Sequence, residues 1–142
     1  MKIAEIIEKV KSLGLPEDSY VVFGSCPLAV VGLREASDID MYVTLDVWKK
    51  MKLGGWKELD KGECDVPLVS DVFEMHTNWG FGPPGGEAGH GYNPSLADLQ
   101  ATAMIIEGVP FASLAEVRKW KASYNRPKDL ADIALIDKYL QK

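Results

Sequence analysis

Little in this chain could serve as covalent bracing or as a thiolate metal site. Its 142 residues hold only two cysteines, Cys26 and Cys64, and two histidines. Two cysteines cannot build a disulfide framework, and no His/Cys cluster has zinc-site spacing. Long apolar runs are missing too, since none approaches the roughly 18 residues of a membrane span. The opening MKIAEIIEKVKSLGL carries charge throughout, unlike the apolar centre of a signal peptide. Positive charge is in deficit, with 21 acids against 16 Lys+Arg and a formal net charge of −5. That balance argues against a general polyanion binder and leaves room for a local basic patch. What is present is a globular composition, 46% hydrophobic and 26% charged, at a length that suits one domain. The expectation is a single domain over residues 1–142, cytoplasmic, with no membrane partner.

Apolar periodicity orders the chain into elements. Ile3, Ile6, Ile7, Val10 and Leu13 recur at helical spacing and predict an amphipathic helix closed by Gly14. Tyr20–Phe23 reads as a short buried strand that stops at Gly24. A helix is expected from about Pro27 to Leu33, with Pro27 in its first turn, and a second strand over Ile39–Val43. Thr44 is a candidate N-cap for a helix through Val47, Trp48 and Met51, closed by Gly54-Gly55. Strand pieces follow around 56–59, 66–69 and 72–76. The segment GFGPPGGEAGHGYNP, Gly80 to Pro94, is expected to be an irregular loop. Beyond it the chain should be helical, with capping-box patterns at Ser95/Asp98 and Ser113/Glu116. A last helix from Pro127 is expected to bury Leu130, Ile133, Ala134, Ile136 and Leu140. The order implies an α/β or α+β fold, a sheet flanked by helices with a C-terminal helical cover.

The chemistry concentrates in Phe23-Gly24-Ser25, twelve further residues, then Asp38-Ile39-Asp40. Residues two apart on a strand share a face, so the two carboxylates would lie about 6–7 Å apart along it. Like charges that converge repel one another unless a cation lies between them. Mg²⁺ suits oxygen ligands where phosphates complete the shell, and two ions roughly 3.5–4 Å apart can share one carboxylate. Gly24 allows close backbone approach, and Ser25 at the start of a helix adds a hydroxyl donor suited to phosphate. Phosphate donors beside metal ligands are what nucleotidyl transfer needs.

In GSCPLAVVGLREASDIDMYVT the chain resembles the nucleotidyltransferase superfamily of DNA polymerase β type. The shared signature is a hydrophobic residue, Gly-Ser, a spacer, then Asp-hydrophobic-Asp-hydrophobic. Within that superfamily it looks most like small prokaryotic members, including those of abortive-infection and toxin–antitoxin systems. RPKDLADIALI, residues 126–136, resembles a helix found in several of them. The resemblance implies a mixed sheet flanked by helices and two Mg²⁺ ions. It also implies transfer of a nucleoside monophosphate from a nucleoside triphosphate to an acceptor hydroxyl: a small molecule, a protein hydroxyl or an RNA end. Asp38, Asp40 and a third carboxylate would be catalytic and hold the metal. Glu74 fits best, Asp71 falls on the opposite strand face, and Asp65 is a weaker choice. Gly24 and Ser25 would bind nucleotide. Cys26 departs from the small residue frequent after Gly-Ser. The alternative is a non-catalytic antitoxin-like or regulatory protein that keeps the fold and binds a cognate partner.

Several residues carry two readings. Arg126 and Lys128 could hold the triphosphate, while Asp129 and Asp132 could instead tie the last helix to the body by ion pairs. Asp129 could also serve as an ordinary helix cap. His76 shares the strand face of Glu74 and could touch the site, although it reads first as structural. Arg118, Lys119 and Lys121 read as a solvated helix face rather than an RNA site. Trp48, Trp56, Trp79 and Trp120 read as core or rim, with Trp79 able to stack on a base.

Overall fold

A computed structural model describes residues 1–60, 66–77 and 92–141. Cys64, Asp65, Trp79, His90 and residues 80–91 of the Gly/Pro loop lie outside the described residues. The described chain folds around one mixed sheet of seven strands in the order β3-β4-β5-β2-β1-β7-β6. These strands are β1 (Tyr20–Phe23), β2 (Ile39–Val43), β3 (Lys57–Glu58), β4 (Leu68–Ser70), β5 (Phe73–His76), β6 (Met104–Ile106) and β7 (Val109–Phe111). The helices are α1 (Ile3–Ser12), α2 (Cys26–Val30), α3 (Leu45–Leu53), α4 (Leu96–Ala101), α5 (Leu114–Tyr124) and α6 (Pro127–Leu140). No helix among the described residues is long and apolar enough to cross a membrane.

The strand period divides the core in two. Val22, Ile39, Met41, Val43, Phe73 and Met75 meet Ile6, Ile7 and Val10 of α1 and Val47 of α3 on one face. Val21, Phe23 and Tyr42 meet Leu99 of α4, Val117 and Trp120 of α5, and Ile136 of α6 on the other. The expected caps hold these helices in place. Thr44 Oγ1 accepts from the Val47 N–H, and Ser95 and Asp98 form a reciprocal capping box. Ser113 completes only half of one. Its hydroxyl accepts from the Glu116 N–H, but the Glu116 carboxylate is engaged by the Tyr92 hydroxyl and Lys119.

Two expectations need correction. The chain beyond the Gly/Pro loop is not all helical, because β6 and β7 form an antiparallel hairpin between α4 and α5. Its two turn residues, Glu107 (φ 49°) and Gly108 (φ 81°), both adopt left-handed backbone. That is the mark of a tight two-residue hairpin turn, but Glu-Gly is a weaker sequence signal than Asn-Gly. The last helix also buries a different face. Leu130 and Leu140 are each 53% exposed and Ala134 is exposed, whereas Asp129 (0%) and Asp132 (3%) are buried beside Ile136. Fully burying a leucine contributes about 1.5–3 kcal/mol. The helix forgoes this because cations on α5 and in the α2–β2 connection meet the two carboxylates.

Candidate functional site

β2 lies between β1, to which it is antiparallel, and β5, to which it is parallel. The register sets Asp40 opposite Phe23 on one side and Glu74 on the other. Asp40 and Glu74 therefore stand side by side on the face that α4–α6 cover. One row further on, Tyr42 is registered with His76. His76 Nε2 lies 3.1 Å from Glu74 Oε1, and the imidazole packs edge-on against Phe23.

Gly24 ends β1 with φ 70°, a backbone that disfavours any side chain. A Cβ built there would lie 2.3 Å from Asp40 Oδ2, so the glycine is what lets the carboxylate reach this position. Ser25 follows as the N-cap of α2 and makes no capping hydrogen bond with its side chain. With only five residues and Pro27 in its first turn, α2 offers few free N–H groups, fewer than the sequence suggested. Cys26 points away from the cleft into the core under α1 and donates its S–H to the Asp38 carbonyl at 3.3 Å. Burial pushes its thiol well above the usual range, and the Asp40 and Asp38 carboxylates push it further.

These elements line a cleft of about 200 Å³ between the sheet and the α5–α6 hairpin. Ser25, Asp38, Asp40, Glu74, Arg126 and Lys128 all line it, so these six residues singled out from the sequence converge on one space. Asp38 is exposed, just before β2. Asp71 adopts left-handed backbone before β5 and pairs with Lys9 of α1, away from the cleft. Tyr92 and Pro94, the described end of the Gly/Pro loop, bond to Glu116 and Tyr42 on the covered face.

The opposite wall is a lattice of charges. Asp132 accepts from Arg34 Nη1 at 2.8 and 3.0 Å and pairs with Lys121 Nζ at 3.0 Å. Lys121 also lies 3.9 Å from Asp129. Asp129 in turn accepts from the Arg126 backbone N–H and holds its guanidinium through Nε and Nη2. The Arg126 guanidinium lies 3.8 Å over the Tyr124 ring. Lys121 is therefore not part of a solvated basic face. It is 3% exposed and lines the cleft, while Arg118 pairs with Asp137 and Lys119 with Glu116 outside. Its position in the Leu114–Val117–Lys121 stripe is the helical signal that could have found it. No periodicity marks Arg34, which sits in a connection. Lys128 is exposed at the rim and has no ion pair among the described residues.

The donor chemistry fits a divalent cation. One ligand atom each from Asp40, Glu74 and His76 lie within 4.8 Å of one another, a grouping that a small inward shift of the side chains would close around one ion with bonds of about 2.0–2.2 Å. Two hard carboxylates at the cleft floor are compatible with Mg²⁺. Asp38 shares the cleft but stands outside this group of three. No family model, curated protein or solved structure matches the chain.

Proposed function

We propose that this chain is a Mg²⁺-dependent nucleotidyltransferase of the superfamily its Gly-Ser and Asp-Ile-Asp segments resemble. It would work in the cytoplasm, where its nucleoside triphosphate is at hand. The observation that carries the reading is the pairing of Asp40 with Glu74 on adjacent parallel strands, directly beside the Gly24-Ser25 turn. The helix-flanked mixed sheet with this site at the β1–β2–β5 centre supports assignment to the nucleotidyltransferase fold.

In the mechanism, an acceptor hydroxyl attacks the α-phosphate in line and pyrophosphate leaves. Asp38, Asp40 and Glu74 would hold two Mg²⁺ ions, which when bound neutralise phosphate charge and lower the pKa of the acceptor hydroxyl. Ser25 donates its hydroxyl to a β- or γ-phosphate oxygen, and Gly24 keeps that approach open. Lys128, exposed at the rim, meets the triphosphate as a mobile point charge. Arg126 is committed to Asp129 through Nε and Nη2, so it acts chiefly by orienting the wall. Lys121 and Arg34 add positive potential from behind Asp132. Catalysis on these terms is positioning and charge neutralisation, with little covalent work for the protein.

The test is nucleoside triphosphate binding with and without Mg²⁺, measured by calorimetry on the wild type, Asp40→Asn, Glu74→Gln and Asp38→Asn. It is joined to a screen of labelled triphosphates against antibiotic, protein and RNA-end acceptors. Metal-dependent binding that Asp40→Asn and Glu74→Gln abolish, with folding retained, is the expected result. Binding indifferent to both changes would sink the reading. Metal-dependent binding without transfer to any acceptor would favour the antitoxin-like or regulatory alternative.

A further inference from the structure

We infer that His76 is itself a ligand of the cation held by Asp40 and Glu74, and that this nitrogen tunes the site toward Mn²⁺ over Mg²⁺. The inference rests on the proposed metal site and changes its ligand set. The geometry supports it. His76 Nε2 lies 3.1 Å from Glu74 Oε1, and neighbouring ligands at a right angle on an ion with bonds of about 2.1–2.2 Å are about 3 Å apart. An Asp40 ligand atom falls within the same 4.8 Å group, so all three side chains offer an atom to one space. The imidazole is also held ready. It is 5% exposed, anchored in β5 and packed edge-on against Phe23 at 5.6 Å between centroids, so binding immobilises little that is free. Even so, the ring reaches the cleft, which it helps to line.

Ligand chemistry then sets the preference. Mg²⁺ favours oxygen donors and gives up its waters reluctantly, whereas imidazole suits first-row transition ions. Two carboxylates facing phosphate oxygens suit the octahedral oxygen-site ions Mg²⁺ and Mn²⁺, and the one imidazole favours Mn²⁺ of the two because it is the first-row transition ion. Replacing the imidazole with an oxygen donor should erase most of this selectivity and leave Mg²⁺ binding in place.

The experiment is Mn²⁺ titration of the nucleotide-free protein followed by electron paramagnetic resonance, with Mg²⁺ as competitor and pulsed spectra to detect coupling to a ligand ¹⁴N. The wild type is expected to bind Mn²⁺ at least tenfold tighter than Mg²⁺ and to show a directly coordinated imidazole nitrogen. His76→Gln should lose the nitrogen coupling and bring the two affinities to within about threefold. If His76→Gln does not fold, His90→Gln serves instead, because the chain has only two histidines and a coupling it retains belongs to His76. Mn²⁺ bound in the wild type without nitrogen coupling overturns the inference. If Asp40→Asn abolishes that binding, the proposed carboxylate site survives without His76. Failure of the wild type to bind either ion overturns the inference and the proposed metal site together.

Discussion

Asp132→Ala tests whether the charge lattice anchors the C-terminal helix over the cleft. The Asp132 side chain is buried and faces Lys121 Nζ at 3.0 Å, on a side chain that is also buried, and the Arg34 guanidinium, whose side chain is 38% exposed. At an effective dielectric constant of about 20, unit charges that close attract by roughly 5 kcal/mol. Much of that is offset by the cost of taking both groups out of water, so the intact pair adds little net stability. Deleting one partner is different, because the lysine stays buried and loses its nearest counter-charge. Such deletions cost about 3–5 kcal/mol. Arg34 can turn to water, and Asp129 remains 3.9 Å from Lys121, so the expected loss is at the low end, about 3 kcal/mol. For a chain of this size that lowers Tm by about 10 °C. Urea unfolding and calorimetry at pH 7 would measure it, with Asp137→Ala as the comparison. Asp137 pairs with Arg118 at 2.6 Å on the surface, and its loss should leave the midpoint within error. Lys121→Met combined with Asp132→Leu should recover most of the loss, because no buried charge is then left alone. An Asp132→Ala midpoint no lower than that of Asp137→Ala would refute the argument.

Gly24→Ala should remove metal binding while costing about 1–2 kcal/mol of stability from left-handed backbone. Its methyl group would collide with Asp40 Oδ2, and calorimetric Mg²⁺ titration beside urea unfolding separates the two effects. Lys128→Ala should weaken triphosphate binding by about 1–2 kcal/mol, the scale of one charge-assisted hydrogen bond, with Tm unchanged. Cys26 gives the pH dependence. Burial and the Asp40 and Asp38 carboxylates raise its folded pKa above the unfolded value, so its contribution is complete below the ordinary thiol pKa. Above roughly pH 8.5 only the unfolded chain ionises this thiol, and stability should fall by about 1.4 kcal/mol per pH unit. In a Cys64→Ser background, native Cys26 should resist thiol reagents at pH 9, and Cys26→Ala should flatten the alkaline decline in Tm.

Much of this molecule was legible in local pattern. The stripe of α1, the β1 and β2 runs, the Thr44 and Ser95 caps and the shared face of Glu74 and His76 each follow from a period or a side chain that bonds its own neighbours. Such signals act over a few residues, and so they appear in the sequence. The clustering of Ser25, Asp38, Asp40 and Glu74 followed from the resemblance of their segments, although spacing alone could not say which carboxylate would stand beside Asp40. Strand order decided that by setting β5 parallel to β2 in a register pairing Asp40 with Glu74. Asp38 lines the cleft with them but stands outside the close group of ligand atoms that His76 joins. The lattice on α5 and α6 was hidden for a related reason. Local pattern marks Leu130 as apolar and Asp132 as charged, and by hydrophobicity alone the leucine belongs inside. Asp132 is buried because Arg34, 98 positions earlier in the chain, and Lys121 on the neighbouring helix meet it there. A charge can be buried only where its partners are waiting, and tertiary structure alone brings those partners together.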